Sequence, residues 1–262
     1  LLEINNIYNM DCLEGMKYID DKSIDMILCD LPYGKTACKW DSIIPLDKLW
    51  TQYERIVKDN GAIILTASQP FTTKLIMSNI NLFKYEYIWV KSKPTGFINA
   101  QNAPLKKHEN VLVFSKGTTA NKSKRNMKYF PRDLIEVNKP KKSKYNENDI
   151  LGTRPSRKND GYIQKYTGYP TSILEFNSEG KTIHPTQKPV KLFEWLIKTY
   201  ANEGDLILDN CIGSGTTAVA CINTNRNYIG FELNKEYYEL AKNRINKHIL
   251  DNNLQDRYSL IA

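Results

Sequence analysis

No apolar run in these 262 residues approaches 18, and no cleavable leader pattern opens the chain. Neither a membrane span nor export is therefore expected. Cysteine is scarce: Cys12, Cys29, Cys38, Cys211 and Cys221 are odd in number and form no Cys-x-x-Cys pair. A metal or disulfide framework is thereby disfavoured, and a reducing cytoplasm fits. Of the three histidines, His108 has no partner at ligand or catalytic spacing and is left unassigned. What is present is 41% apolar residues and 11% aromatics. Those are ample for a core, in a length suited to one large domain or one domain with an insertion.

The net charge of +8 is unevenly placed. Between Lys116 and Lys181 stand 15 Lys/Arg against 7 Asp/Glu, so the rest of the chain holds 22 basic residues (37 less 15) and 22 acidic ones (29 less 7). All the excess lies in one internal segment, where Tyr129, Phe130, Tyr145, Tyr162, Tyr166 and Tyr169 interleave with lysines. A solvated basic loop has this composition, and so has a polyanion-binding element on a neutral body. No helix-turn-helix or zinc-finger spacing singles out residues that would read bases.

The chain is organised around Cys29-Asp30-Leu31-Pro32-Tyr33-Gly34, which closes the apolar run Ile24 to Leu28. The run predicts a buried strand, and Pro32 and Gly34 end it. An acid and an aromatic thus stand where parallel strands deliver ligand-binding groups. A second strand, Leu206-Ile207-Leu208-Asp209, leads into Asn210-Cys211-Ile212-Gly213-Ser214-Gly215-Thr216-Thr217-Ala218. That stretch fits the Gly-x-Gly-x-x-Gly/Ala fingerprint of nucleotide-type cofactor sites. Glu232, 23 positions past Asp209, stands where a ribose-binding carboxylate belongs.

Between these ends the pattern alternates. Strands are expected at Ile4 to Met10, Ala62 to Thr66, Tyr85 to Val90, Asn110 to Phe114 and Tyr228 to Phe231. Helices are expected at Cys12 to Tyr18, at Leu46 to Lys58 with Asn60-Gly61 as its stop, from Pro70 to about Ser78, from Pro189 to about Tyr200, and at Lys235 to His248. The rhythm is that of an α/β doubly wound, mostly parallel sheet. A long polar loop with Lys91, Lys93, Lys106, Lys107 and His108 tops its functional edge as a nucleic-acid contact. Trp40 anchors a flap beside the pocket or stacks on a base.

Asp30-Leu31-Pro32-Tyr33 resembles the Asp-Pro-Pro-Tyr motif of DNA amino-methyltransferases, and the acceptor motif precedes the cofactor motif as in that family's permuted β group. The resemblance covers most of the chain outside 116–165. It implies a circularly permuted Rossmann-like methyltransferase fold, with 1–115 and 166–262 as two parts of the catalytic domain and 116–165 as an inserted target-recognition region. S-adenosylmethionine is the implied cofactor and double-stranded DNA the implied partner, in DNA methylation of the restriction–modification kind; monomer and homodimer are both compatible with the sequence. The Asp30 carboxylate and the Leu31 carbonyl would orient the base amine, with Pro32 holding the turn and Tyr33 stacking on the extruded base. Asp11 would bond the cofactor's adenine as well as cap a helix. Thr186 and Lys188, in His184-Pro185-Thr186-Gln187-Lys188-Pro189, would hold its carboxylate. Asp209, Asn210, Gly213, Gly215, Thr216, Thr217 and Glu232 would complete that site.

The family's loop commonly carries Pro-Phe where this chain has Asn210-Cys211, which alters the apolar wall of the pocket. Asp in the first motif position is commoner among adenine enzymes than among cytosine-N4 enzymes, so adenine is the expected acceptor and cytosine-N4 the alternative. The 5-methylcytosine enzymes need a Pro-Cys nucleophile, a dipeptide absent here. The glycine fingerprint also suits an NAD-dependent oxidoreductase. No catalytic Tyr/Lys or His/Asp set accompanies it, and a basic insert has no role in hydride transfer.

Overall fold

The computed structural model describes residues 2–34, 42–142, 161–179 and 187–262. They form two compact units, Leu1–Phe130 with Ser172–Ala262, and Pro131–Thr171. In chain order the larger unit contains β1 (Asn6–Tyr8), α1 (Cys12–Met16), β2 (Ile24–Asp30), α2 (Leu46–Ile56), β3 (Val57–Ala67), α3 (Phe71–Ser78), β4 (Phe83–Thr95) and β5 (Lys106–Phe114). After the smaller unit, which holds β6 (Ile135–Lys141) and β7 (Tyr162–Thr167), it resumes with β8 (Ile173–Glu175), α4 (Val190–Tyr200), β9 (Leu206–Asp209), α5 (Thr216–Asn223), β10 (Asn227–Phe231) and α6 (Lys235–Asp251).

The eight-stranded sheet has the order β1-β10-β9-β2-β3-β5-β4-β8. Every neighbouring pair is parallel except the two that involve β5. From β2 the chain winds outward to β3, and from β9 it winds the opposite way to β10. The β2–β9 junction is therefore the topological switch point, the crevice where open α/β sheets bind ligands. Residue alternation in β2 explains its apolar run, which only the lysine-paired Asp25 interrupts. Met26 and Leu28 join the core of α4, α5 and α6, whereas Ile27 and Cys29 join the core of α1, α2 and α3. Both faces are covered, as parallel strands require.

Three local expectations change. The helix at Leu46 ends at Ile56 rather than Lys58, and Gly61 lies inside β3 instead of capping it. Its Cβ would stand 2.7 Å from the Asp25 carbonyl oxygen, so the position needs glycine for close backbone approach rather than for a turn. β4 and β5 extend toward each other, which shortens the connecting loop to 96–105. Lys116 to Phe130, expected to open the insert, belong to the larger unit. Met127 is buried in its core, and Lys128 bridges Asp25 at 2.7 Å and Asp205 at 2.6 Å.

The smaller unit is an antiparallel pair, β6 with β7, in which Lys139 faces Gln164 and Lys141 faces Tyr162. Lys139, Lys141 and Lys142 are exposed, as are Tyr162, Ile163 and Tyr166. Trp40, Lys144, Tyr145, His184 and Thr186 lie outside the described residues. Among the described residues no helix is long and apolar enough to cross a membrane, and no cluster of His, Cys, Asp or Glu is placed to hold a metal.

Candidate active site

β2 and β9 deliver their terminal acids side by side. Ile27 pairs with Leu208, so Asp30 stands two residues farther out along the sheet than Asp209. Asp30 Oδ1 accepts hydrogen bonds from the Tyr33 hydroxyl, at 2.7 Å, and from the Thr66 hydroxyl at the end of β3. Its Oδ2 accepts from Lys188 Nζ at 2.6 Å. A carboxylate has about four acceptor sites; three are in use among the described residues, and the remaining one is on Oδ2.

Lys188 precedes α4 and is only 6% exposed. Its ammonium also lies 3.4 Å from Glu109 Oε2, while Lys91 Nζ approaches Glu109 Oε1 at 3.2 Å. Burial alone would lower the Lys188 pKa, but the negative charges of Asp30 and Glu109 carry it above the ordinary lysine value. Burial likewise pushes Glu109 up, and Lys188 and Lys91 together outweigh it, leaving the carboxyl below its usual range. Tyr33 stacks on Phe71 with centroids 5.3 Å apart, and Lys188 Nζ lies 5.9 Å from its ring centre. Burial, with the Asp30 charge nearby, raises the Tyr33 pKa well above normal, so the hydroxyl stays a donor.

The second strand end is built differently. Asp209 is 4% exposed and accepts from the Thr217 hydroxyl and, at 3.1 Å, from the Cys211 amide. Burial pushes its carboxyl up to about 7 despite those donors. Gly213 and Gly215 adopt left-handed φ values of 51° and 79°. At Gly213 the nearest atom to an added Cβ is the Cys211 carbonyl oxygen, 3.9 Å away, so the backbone borders open space. Glu232 Oε2 accepts from the Gly213 amide at 3.0 Å and Oε1 from the Asn234 amide at 2.8 Å. Burial raises its pKa, and these amides partly oppose the rise. From α6, Arg244 donates to the Ser214 carbonyl at 3.0 Å and to the Thr216 hydroxyl at 3.1 Å, locking the loop from outside.

The remaining expected residues separate. Asp11 caps α1, accepting from the Leu13 and Glu14 amides. Asn210 is buried and turned away from open space, its Oδ1 accepting from the Tyr53 hydroxyl at 2.5 Å. Lys188, expected at the cofactor's carboxylate, is paired with Asp30. Leu31 is 3% exposed in the core beneath the turn. Lys91 pairs with Glu109 and Lys106 donates to Ser68, while Lys93 in β4 and Lys107 and His108 in β5 are exposed on the strands that flank the edge loop. Sequence reasoning does not reach Thr66, Glu109, Phe71 or Arg244. Only Thr66 carries a signal, its place at the carboxyl end of an expected parallel strand.

The family model N6_N4_Mtase, described as DNA methylase, matches residues 24–243. The type II methyltransferase M.HpaI of Haemophilus parainfluenzae is 28% identical over 90% of this chain and 72% of its own length. The DNA adenine methyltransferase YhdJ of Escherichia coli K12 is 27% identical over 93% of this chain and 83% of that protein. The crystal structure of an M1.HpyAVI–SAM complex superposes with a TM-score of 0.59 at 26% identity, over 91% of this chain and 98% of the other.

Proposed function

Because the chain belongs to the DNA methylase family, we propose that it transfers a methyl group from S-adenosylmethionine to the exocyclic amine of adenine in double-stranded DNA. One observation carries the reading. The acceptor-type acid Asp30 and the glycine loop after Asp209 meet at the switch point of the sheet, with one acceptor site of Asp30 Oδ2 still open among the described residues. The adenine assignment is supported by Asp rather than Ser at position 30 and by the likeness to a relative named as an adenine enzyme.

The residues fit the cofactor: the open backbone at Gly213 admits close approach, and Glu232 is held by two amides with acceptor capacity left for ribose hydroxyls. Asp11 and the amides at the start of α5 complete this cradle. When bound, S-adenosylmethionine supplies an electrophilic methyl group. The protein must then make the base amine nucleophilic, since its lone pair is delocalised into the ring. Asp30 Oδ2 and the Leu31 carbonyl accept the two amine hydrogens out of the ring plane and aim the lone pair. The half-buried Tyr33, backed by Phe71, offers a face to the extruded base. Asp30 or solvent takes the proton the product sheds.

DNA would lie across the edge from which β5 projects. Thr66 pairs with Val111, and Lys106 to Glu109 run on beyond that level, so the loop 96–105 stands outward of Asp30. Its Phe97 and Ile98 are exposed, with Lys93 and Lys107 on the flanks. Basic groups meet phosphates there. Within the smaller unit, the exposed Lys139, Lys141 and Lys142 offer phosphate contacts of their own. Nucleoside mass spectrometry of DNA treated with the protein and labelled cofactor tests the reading. N6-methyladenine is expected; 4-methylcytosine as the only product would overturn the adenine assignment, and no labelled nucleoside would overturn methyl transfer.

A further inference from the structure

Glu109 belongs to neither strand end, yet it completes the charge arrangement at Asp30. The Lys188 ammonium is shared unequally: 2.6 Å from Asp30 Oδ2, where it makes a hydrogen bond, and 3.4 Å from Glu109 Oε2. That Oε2 is buried and has no hydrogen-bond partner among the described residues. Lys91 fixes the other oxygen of the same carboxylate. An acceptor buried beside a cation, held in place and left unmade, is costly unless another state uses it.

Methyl transfer defines such a state. The amine nitrogen gains a bond to carbon as the bond from carbon to sulfur breaks, with that electron pair remaining on sulfur. The nitrogen carries positive charge until an N–H proton leaves. At that moment Lys188 and the nitrogen are two cations on one oxygen, Asp30 Oδ2. Shortening the Glu109 contact from 3.4 Å to an ordinary charged hydrogen bond requires a movement of about 0.6 Å, within reach of a lysine side chain.

We propose that Glu109 is a positioning residue that receives the Lys188 ammonium as the target amine engages Asp30. Lys188 thus orients Asp30 ahead of the substrate and yields Oδ2 to it without losing its counter-ion. The inference rests on the methyltransferase reading and adds a residue that no motif supplies. Among the described residues, the groups facing Lys188 include Asp30 from β2, Tyr33 from the turn, Glu109 from β5 and, through Glu109, Lys91 from β4 and Lys106 from β5.

The test is Glu109→Gln in the full chain, which keeps the shape and removes the charge, with folding checked by thermal melts. Single-turnover methyl transfer to DNA is expected to fall about 10²-fold, the usual loss when a reacting group is misplaced. Affinity for S-adenosylmethionine should stay within about twofold. The alkaline limb of the rate–pH profile should move down by about one unit, because Lys188 loses one of two counter-charges. In a Lys188→Met background the same substitution should have no further effect. Glu109→Asp, which keeps the charge but withdraws it, should lower the rate with the limb unmoved, and it serves if the glutamine variant does not fold.

An unchanged rate in Glu109→Gln, or in Glu109→Asp where that variant stands in, would overturn the proposal. So would a loss that leaves the pH profile unmoved and persists in Lys188→Met. If the wild-type protein labels no DNA, it is the methyltransferase reading that fails, not this assignment alone.

Discussion

Asp30 and Asp209 each close a buried parallel strand, next to each other in the sheet, and their surroundings are opposite. Asp30 is partly exposed and directly paired with a buried lysine, which a second acid and a second lysine balance in turn. Asp209 is buried, and among the described residues its partners are neutral: a threonine hydroxyl and a backbone amide. In the proposed reading, the acid that presents a defined oxygen to the substrate has a counter-ion and, among the described residues, an open acceptor site. An acid that shapes a loop is satisfied by neutral donors, and its carboxyl drifts up to about 7. Position in the fold places both residues; the neighbouring charges divide their work.

The largest effect should come from removing the charged end. Asp30→Ala is expected to lower single-turnover methyl transfer by about 10³-fold, within the range of positioned acid–base groups. Equal loss in Asp209→Asn would erase the distinction between the two ends. For Asp209 the sharper expectation concerns stability. Its folded pKa lies above the unfolded value, so the stability it supports is full below about pH 4 and is lost as pH rises through 7. Asp209→Asn cannot ionise and should escape that loss. Relative to wild type it should gain up to about 4 kcal/mol between pH 4 and pH 8, read as a Tm difference that widens with pH. A pH-independent gap would show that Asp209 is ionised throughout.

A smaller effect separates both strand ends from DNA capture. Replacing Lys139, Lys141 and Lys142 by alanine should reduce the salt slope of DNA binding by about 0.9 for each phosphate no longer neutralised, while the rate at saturating DNA holds. Unaltered affinity at matched salt would show that these exposed lysines face solvent. The smallest effect on chemistry is expected at Leu31. In the proposed mechanism the role of this position belongs to its carbonyl, and Pro32 already restricts its backbone. Its buried side chain anchors the turn, so Leu31→Pro should cost about 1.5–3 kcal/mol of stability. Methyl transfer by the folded protein should change only a few-fold. A folded Leu31→Pro protein as inactive as Asp30→Ala would mean that the leucine side chain shapes the pocket.

The strand ends are legible in the sequence because local signals and global placement agree. Leu206–Asp209 is a short apolar run bounded by glycines, and the structure begins and ends β9 there. Gly61 misleads because Asn-Gly looks the same as a helix stop and as a strand residue under a neighbouring carbonyl; only the approach to Asp25 tells them apart. The β6–β7 pair escapes notice since its strands have scant buried apolar alternation and carry Pro140. Lys188 is recognisable as part of a motif, but its partner lies 158 positions earlier. Pairing of charges across that separation is a property of the sheet order. Glu109 is invisible for the same reason, since nothing in a strand's sequence says which distant ammonium its carboxylate will meet.

The division between the two ends is tested most directly by titrating S-adenosylmethionine into Asp30→Ala and wild-type protein side by side. Equal dissociation constants within about twofold are expected, in a variant that no longer transfers the methyl group; Asp30 would then meet the cofactor only through the substrate it holds. A variant whose cofactor affinity falls in proportion to its methyl transfer would contradict the account, because Asp30 would then belong to the cofactor site rather than to the acceptor.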